Sequence, residues 1–317
     1  MMMMIVMILI LTKMIPLSEG FTAVLLSSFT TVTCNDRFQN LFNEIVNRNK
    51  KKQNDNSEGI DNDLLVYIPT AKYYHNKASM KTYGEQRRRA RYEAKDKCRI
   101  LNSCFNRKDS YILELDDPQL TQQQIANIIS KASVIYIDGG NTFYLQKYLI
   151  RCQFWNLVMP YLSSSCIYIG ASAGGIVLGR SIETSYWKGW DDPSCAGDDI
   201  VWNTDTLSGA NLIKDTSFFM HYDSSSHDDM LSRHRTALDH DLELISDDIA
   251  LVYTTDSLPA EEVTDDESIN IIPNPNEYAK TIVTTTTKST TLITASSNNN
   301  DCSTEVKLHK YIFIAHA

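Results

Sequence analysis

The chain has 317 residues, 43% of them hydrophobic and 22% charged, with only 12 Gly and 8 Pro. That apolar share can fill a core and excludes wholesale disorder and collagen-like repeats. No apolar run reaches the roughly 20 residues of a membrane-spanning helix, and a net charge of −9 is a poor basis for holding a polyanion by counterion release.

The seven cysteines are odd in number and widely spaced, with no C-x-x-C pair, which argues against a disulfide scaffold or a thiolate zinc site. Residues 1–20 open on an apolar run, Met1 to Leu11, with no preceding Lys or Arg, and read as a weak signal or a dispensable extension. The chain has no N-x-Ser/Thr sequon, which together with the scattered cysteines favours a cytoplasmic location.

From residue 21 the elements alternate. Phe21–Ser28 is a β-rich run, and Phe38–Val46 has the apolar spacing of a helix. Leu64–Pro69 predicts a buried strand, Arg88–Leu101 an amphipathic helix and Tyr111–Leu115 a third strand. Ile125–Ile129 lies on a helix, followed by a strand at Val134–Ile137, a helix at Phe143–Ile150 and a strand at Cys166–Ile169. Strands alternating with helices predict an α/β fold, a mostly parallel sheet covered on both faces, with its binding site at the carboxyl ends of the strands. Thr284–Thr287, Ser289–Thr291 and Ser296–Asp301 are low in complexity, so the expected division is an extension at 1–20, a domain at 21–283 and a loosely ordered Thr/Ser/Asn-rich tail at 284–317.

The charge is uneven. Arg87, Arg88, Arg89, Arg91, Lys95, Lys97 and Arg99 cluster on one predicted helix, and eleven acids without a Lys or Arg fall between Asp239 and Glu267. The basic run reads as a solvated helix face, since no aromatic stacking platform beyond Tyr92 is interleaved with it; no nucleic-acid or membrane partner is expected.

Two strand ends carry chemistry. At Ile137-Asp138-Gly139-Gly140-Asn141-Thr142 a strand enters two glycines and a helix leaves. Such a turn frees backbone N–H groups to face an anion, and Asn141 can contact substrate or cap the helix. At Gly170-Ala171-Ser172-Ala173-Gly174 a G-x-S-x-G pattern follows an apolar strand and precedes a helix, the context of a nucleophile elbow. Of the seven histidines, His221 ends the apolar run Ser217–Met220 and has the same strand-end placement as Ser172, which makes it the candidate base. Asp247 and Asp248 lie at a further strand boundary and are candidates for the residue that orients the imidazole.

Asp-Gly-Gly-Asn-Thr-Phe at 138–143, Tyr-Ile-Gly-Ala-Ser-Ala-Gly at 168–174 and Phe-Phe-Met-His-Tyr-Asp at 218–223 together resemble the dipeptidase E family of serine peptidases, relatives of cyanophycinase and of class I glutamine amidotransferase-like domains. The resemblance covers roughly residues 21–255. It implies a three-layer α/β/α, flavodoxin-like fold and hydrolysis of short acidic peptides, dipeptides with amino-terminal Asp above all. It also implies Ser172 as nucleophile and His221 as base. The family's third residue is usually Glu, and by spacing that position falls on Asp247, with Asp248 adjacent.

Gly140 and Ala173 are the expected oxyanion donors, and Arg233 or Arg235 the cation for an acidic side chain. No metal or organic cofactor is expected. Cyanophycinase-like hydrolysis of aspartyl–arginine peptides, or an inactive peptide-binding relative, are the alternatives, and the oligomeric state, a homodimer included, stays open at the level of sequence. A glutamine amidotransferase is disfavoured because that chemistry uses Cys where Ser172 stands.

Overall fold

The computed structural model describes residues 21–29, 63–162, 166–255, 288–291 and 307–314. The extension at 1–20 and the helix predicted at Phe38–Val46 lie outside them.

Among the described residues an eight-stranded sheet forms the middle layer. Its first five strands in spatial order are β3 (Asp109–Ile112), β2 (Leu64–Ile68), β4 (Ala132–Ile137), β5 (Ile167–Ala171) and β1 (Thr22–Leu26), all parallel. β8 (Ile249–Thr254) adds antiparallel to β1, β10 (Lys307–Ile314) antiparallel to β8, and β9 (Lys288–Thr291) antiparallel to β10. The parallel strands are apolar along their whole length because helices cover both faces. Ala23, Leu25, Ile135, Ile137 and Tyr168 point into one core, whereas Val24, Leu26, Val134, Tyr136, Ile167 and Ile169 point into the other.

The first core is closed by α2 (Gln122–Ile129), α3 (Thr142–Arg151) and α4 (Phe154–Leu162), through Ile125, Ile129, Phe143, Leu145, Leu149, Phe154, Val158 and Leu162. The second is closed by α1 (Tyr83–Cys104), whose buried stripe Ala90, Ala94, Cys98 and Leu101 repeats at helical spacing. The result is the expected three-layer α/β/α sandwich.

Helix starts extend beyond the apolar runs because polar caps set them. Thr82 and Glu85 form a capping box at the start of α1, and Thr121 and Gln124 do the same for α2. The basic run on α1 is only partly a solvated face. Arg87 reaches Asp116, Arg91 reaches Glu114, and Lys97 reaches Asp138 at the end of β4.

Two features depart from the sequence expectation. β6 (Thr216–Met220) and β7 (Asp241–Ile245), joined by α8 (Ser224–Arg235), pair parallel in a separate two-stranded sheet. Within the segment expected as a loose tail, β9 and β10 are strands of the main sheet. Leu308 is buried in the first core, and Lys310 Nζ lies 2.6 Å from Glu243 Oε2. The β-branched and aromatic run Tyr311-Ile312-Phe313-Ile314 carries the β-preference that the Thr/Ser/Asn composition upstream obscures.

Register aligns the strand ends. Leu26 pairs with Ala171, Ile68 with Ile137, and Ile137 with Gly170. Ser27, Pro69, Asp138 and Ser172 therefore leave the sheet along one edge, where a parallel sheet places its ligands.

Candidate active site

Ser172 leaves β5 at φ 49° and ψ −112°, and the short helix α5 (Ala173–Ile176) begins at the next residue. A non-glycine residue in that region costs on the order of 1–3 kcal/mol, so neighbours must hold it. The Ser172 N–H donates to the Leu26 carbonyl at 2.8 Å, and its own carbonyl accepts from Gly175 and Ile176 at 2.8 and 3.0 Å. The turn lies so close that a Cβ on Gly139 would sit 2.9 Å from Ser172 Cβ. Glycine there clears the face of the serine.

His221 follows β6 and also holds a positive φ, 53°. Its N–H donates to Ser27 Oγ at 2.9 Å, and Ser27 Oγ–H donates in turn to the Ile245 carbonyl at 2.6 Å. Lys188 Nζ donates to the carbonyls of Met220 and His221. So fixed, the ring places Nε2 2.9 Å from Ser172 Oγ and Nδ1 2.6 Å from Asp247 Oδ1. Asp247 lies on the turn between β7 and β8; Asp248 instead accepts from Ser246 Oγ. The Asp247 side chain is 61% exposed, so water screens much of its charge.

The Gly139–Gly140 turn faces the serine from the end of β4. Gly140 has φ 140°, and a Cβ there would lie 2.2 Å from the Ala71 carbonyl oxygen, which also accepts the Asn141 N–H at 2.8 Å. The Gly139 N–H is taken by Asp138 Oδ1 at 2.8 Å, whereas the amides of Gly140 and Ala173 have no partner among the described residues. Asp138 is buried beneath this turn. It accepts from Tyr67 Oη at 2.6 Å and Lys97 Nζ at 2.5 Å, with Lys72 Nζ at 3.5 Å. Burial alone would raise the Asp138 carboxyl, but the two ammonium groups and these hydrogen bonds outweigh it and hold the group below its ordinary value.

The expected substrate contacts fare differently. The Asn141 side chain is committed to structure: Oδ1 accepts the Tyr144 N–H at 2.8 Å as the cap of α3, and Nδ2 donates to the Asp192 carbonyl at 3.0 Å. Arg233 and Arg235 are exposed in the last turn of α8. At 1.5 Å per residue, Arg233 lies about 15 Å along the axis from Asp223 beside His221. His234, between the two arginines, stacks on the Trp187 ring at 4.9 Å, so this end of α8 packs on the residue that precedes Lys188.

Sequence reasoning did not single out Lys188, Trp190 and Asp191. The Trp190 ring lies 6.0 Å from that of His221, and Lys188 sits over Trp190 and Phe219 at 4.4 and 4.3 Å. Burial pushes the Lys188 ammonium down to about 8, against the pull of Asp247 and Asp191. Burial pushes the Asp191 carboxyl up, against hydrogen bonds from Thr142 and the charges of Lys188 and His221. The signal was present in Tyr186-Trp-Lys-Gly-Trp-Asp191, an aromatic and charged run shortly after the elbow. Among the described residues no group of three or more His, Cys, Asp or Glu could hold a metal ion, and no helix is long and apolar enough to cross a membrane.

A parallel α/β sandwich with a strained serine at a strand end, a histidine on its oxygen and a carboxylate on that histidine defines the serine-hydrolase class of site. The chain belongs to peptidase family S51, whose sequence profile matches residues 24–258. It is 28% identical over 124 residues to an uncharacterized peptidase of Pasteurella multocida, covering 39% of this chain and 52% of that protein. It is 47% identical over 60 residues to Peptidase E of the same organism, covering 19% and 26%. These matches span about half or less of the curated relatives' own length. A crystal structure described as a putative Peptidase E from Listeria monocytogenes aligns over 73% of this chain and 93% of that one, with TM-score 0.47 and 21% identity.

Proposed function

We propose that the protein hydrolyses short peptides, dipeptides with amino-terminal Asp among them, through a covalent acyl intermediate on Ser172. The observation that carries this reading is the relay from Ser172 Oγ to His221 Nε2 at 2.9 Å and from His221 Nδ1 to Asp247 Oδ1 at 2.6 Å. With the Nδ1 proton held by Asp247, the free lone pair of Nε2 faces the serine and takes its proton as Oγ attacks the scissile carbonyl. The imidazolium then returns that proton to the leaving amine, and water completes the second half by the same route.

The carbonyl oxygen becomes negative in the first step. The unpartnered amides of Gly140 and Ala173 flank Ser172 and suit that oxyanion, with Asp138 fixing the turn that presents Gly140. One such donor is worth about 10²–10³ in rate. Wild type should release free amino acids from a panel of Asp-X and Glu-X dipeptides, and Ser172→Ala should reduce that release to background. Unchanged release by Ser172→Ala would defeat the nucleophile assignment; no turnover of Asp-X would defeat the aspartyl specificity.

A further inference from the structure

The loop Lys188–Asp192 lies beside His221 and is tied to the oxyanion turn. Asp192 presents its carbonyl to Asn141 Nδ2, and Asp191 Oδ2 accepts the Thr142 N–H at 3.0 Å. Thr142 is two residues past Gly140. On its other side the loop sets the ring of Trp190, the residue before Asp191, 6.0 Å from that of His221. Asp191 thus lies on the loop that links the oxyanion turn to the base.

Other carboxylates around the site are committed. Asp247 is spent on His221, and Asp138 is saturated by Lys97, Tyr67, the Gly139 N–H and Lys72. Asp192 accepts from the N–H and Oγ of Ser194. Asp191, by contrast, is hydrogen-bonded among the described residues to Thr142 alone, whose N–H reaches Oδ2 at 3.0 Å. The neighbouring Lys188 ammonium is turned to the carbonyls of Met220 and His221 and makes no hydrogen bond to Asp191 among the described residues.

Covalent geometry says what belongs there. In a peptide cleaved after its first residue, the α-nitrogen is two bonds from the scissile carbonyl carbon, about 2.5 Å away. An ammonium–carboxylate hydrogen bond adds about 3 Å. A carboxylate hydrogen-bonded to the residue two past Gly140, on a loop beside the base, is the group that borders that position.

We propose that Asp191 binds the α-ammonium group of the substrate's first residue and so restricts the site to free amino termini. The inference rests on the Ser172 reading above and deepens it, because it fixes which end of the peptide enters. Burial that raises the Asp191 carboxyl also favours a ligand that brings a compensating positive charge. An N-acetylated peptide, with a neutral amide in that position, loses the interaction and adds bulk against Trp190 and Asp191.

The test uses the full chain and a fluorophosphonate probe, whose reaction with Ser172 needs the base and oxyanion donors but no ammonium group. Asp-X, Ala-X and Leu-X dipeptides and their N-acetyl forms are titrated as protectants against labelling, in wild type and Asp191→Asn. Asparagine retains an oxygen for the Thr142 N–H, and labelling itself reports an intact site. Free dipeptides should protect wild type at concentrations at least about tenfold below their acetylated forms, the order expected for one charge-assisted hydrogen bond. Asp191→Asn should still label on Ser172 and lose that preference. The inference is overturned if acetylated and free peptides protect wild type equally, if no dipeptide protects, or if Asp191→Asn keeps the preference. Loss of labelling in Asp191→Asn also overturns it, since Asp191 would then act by holding the oxyanion turn and the base. Absence of labelling in wild type brings down the Ser172 reading and this inference with it.

Discussion

Ser172 and His221, joined at 2.9 Å, both carry positive φ, 49° and 53°. Two side chains on different sheets meet only because each backbone is bent into a region that L-residues avoid. Ser172→Gly should therefore raise stability by about 1 kcal/mol while abolishing peptide hydrolysis, since glycine adopts that backbone without steric cost. Denaturant unfolding monitored beside turnover checks this; a destabilised Ser172→Gly would show that the turn holds no strain.

Ser27 is the pin behind the histidine. Its hydroxyl accepts the His221 N–H and donates to Ile245, so it ties β1 to the two-stranded sheet. Ser27→Ala leaves the part-buried His221 N–H without its partner and takes one of two donors from the Ile245 carbonyl, which keeps the Tyr222 N–H at 3.0 Å, and should cost about 1–3 kcal/mol. The kinetic effect should fall on kcat more than KM, because the lost contact aims the base without touching substrate. Steady-state kinetics and unfolding on the same variant separate the two.

The two neighbouring acids make a clean pair of variants. Asp247→Asn can turn its amide N–H toward Nδ1 and favour the wrong tautomer, so kcat should fall by about 10²–10⁴, the lower end if the exposure of Asp247 weakens its role. Asp248→Asn should stay near wild type, since its partner is Ser246. Equal losses in both would remove the basis for assigning the third position to Asp247.

Lys188 supplies a pH signature. Burial lowers its folded value to about 8 from an ordinary 10.5, so between those limits the unfolded chain binds more protons than the folded one. Stability from this group must then rise with pH across about 8 to 10.5, and the penalty for burying the ammonium is fully present below 8. Lys188→Met should flatten that rise in chemical-denaturation midpoints measured from pH 7 to 10.5. An unaltered slope would show that the ammonium is not held in a low-dielectric setting.

Gly140 is the backbone test of the oxyanion turn. At φ 140°, and with the Ala71 carbonyl oxygen 2.2 Å from where an added methyl would stand, Gly140→Ala must shift the turn away from Ser172. The expected result is a loss of about 10²–10³ in kcat, matching one displaced donor. Retention of full kcat would place the oxyanion elsewhere.

Much of this was legible in the sequence because it is local. The apolar runs at Leu64–Ile68, Ala132–Ile137 and Ile167–Ala171 are strands that helices cover on both faces, and G-x-S-x-G after such a run is an elbow. His221 was found by the same strand-end logic. Interactions set by long-range packing were not legible: Lys188 and Asp191 are brought to the site by a loop with no periodic signal, and the end of α8 that carries Arg233 and Arg235 packs through His234 on Trp187. Asn141 has the chemistry to bind substrate and spends it on capping α3. The strands Lys288–Thr291 and Lys307–Ile314 were hidden by Thr/Ser/Asn-rich composition, since their addition depends on the open side of β8, on which Lys307–Ile314 pairs and Lys288–Thr291 then forms the edge.

The central claim is that Ser172 Oγ is an activated nucleophile. Intact-mass analysis after fluorophosphonate treatment, followed by peptide mapping, measures it directly. One adduct per chain on Ser172, slowed by His221→Ala and absent in Ser172→Ala, is the predicted result. Folded wild type without an adduct, or with its adduct on another residue, would contradict the account.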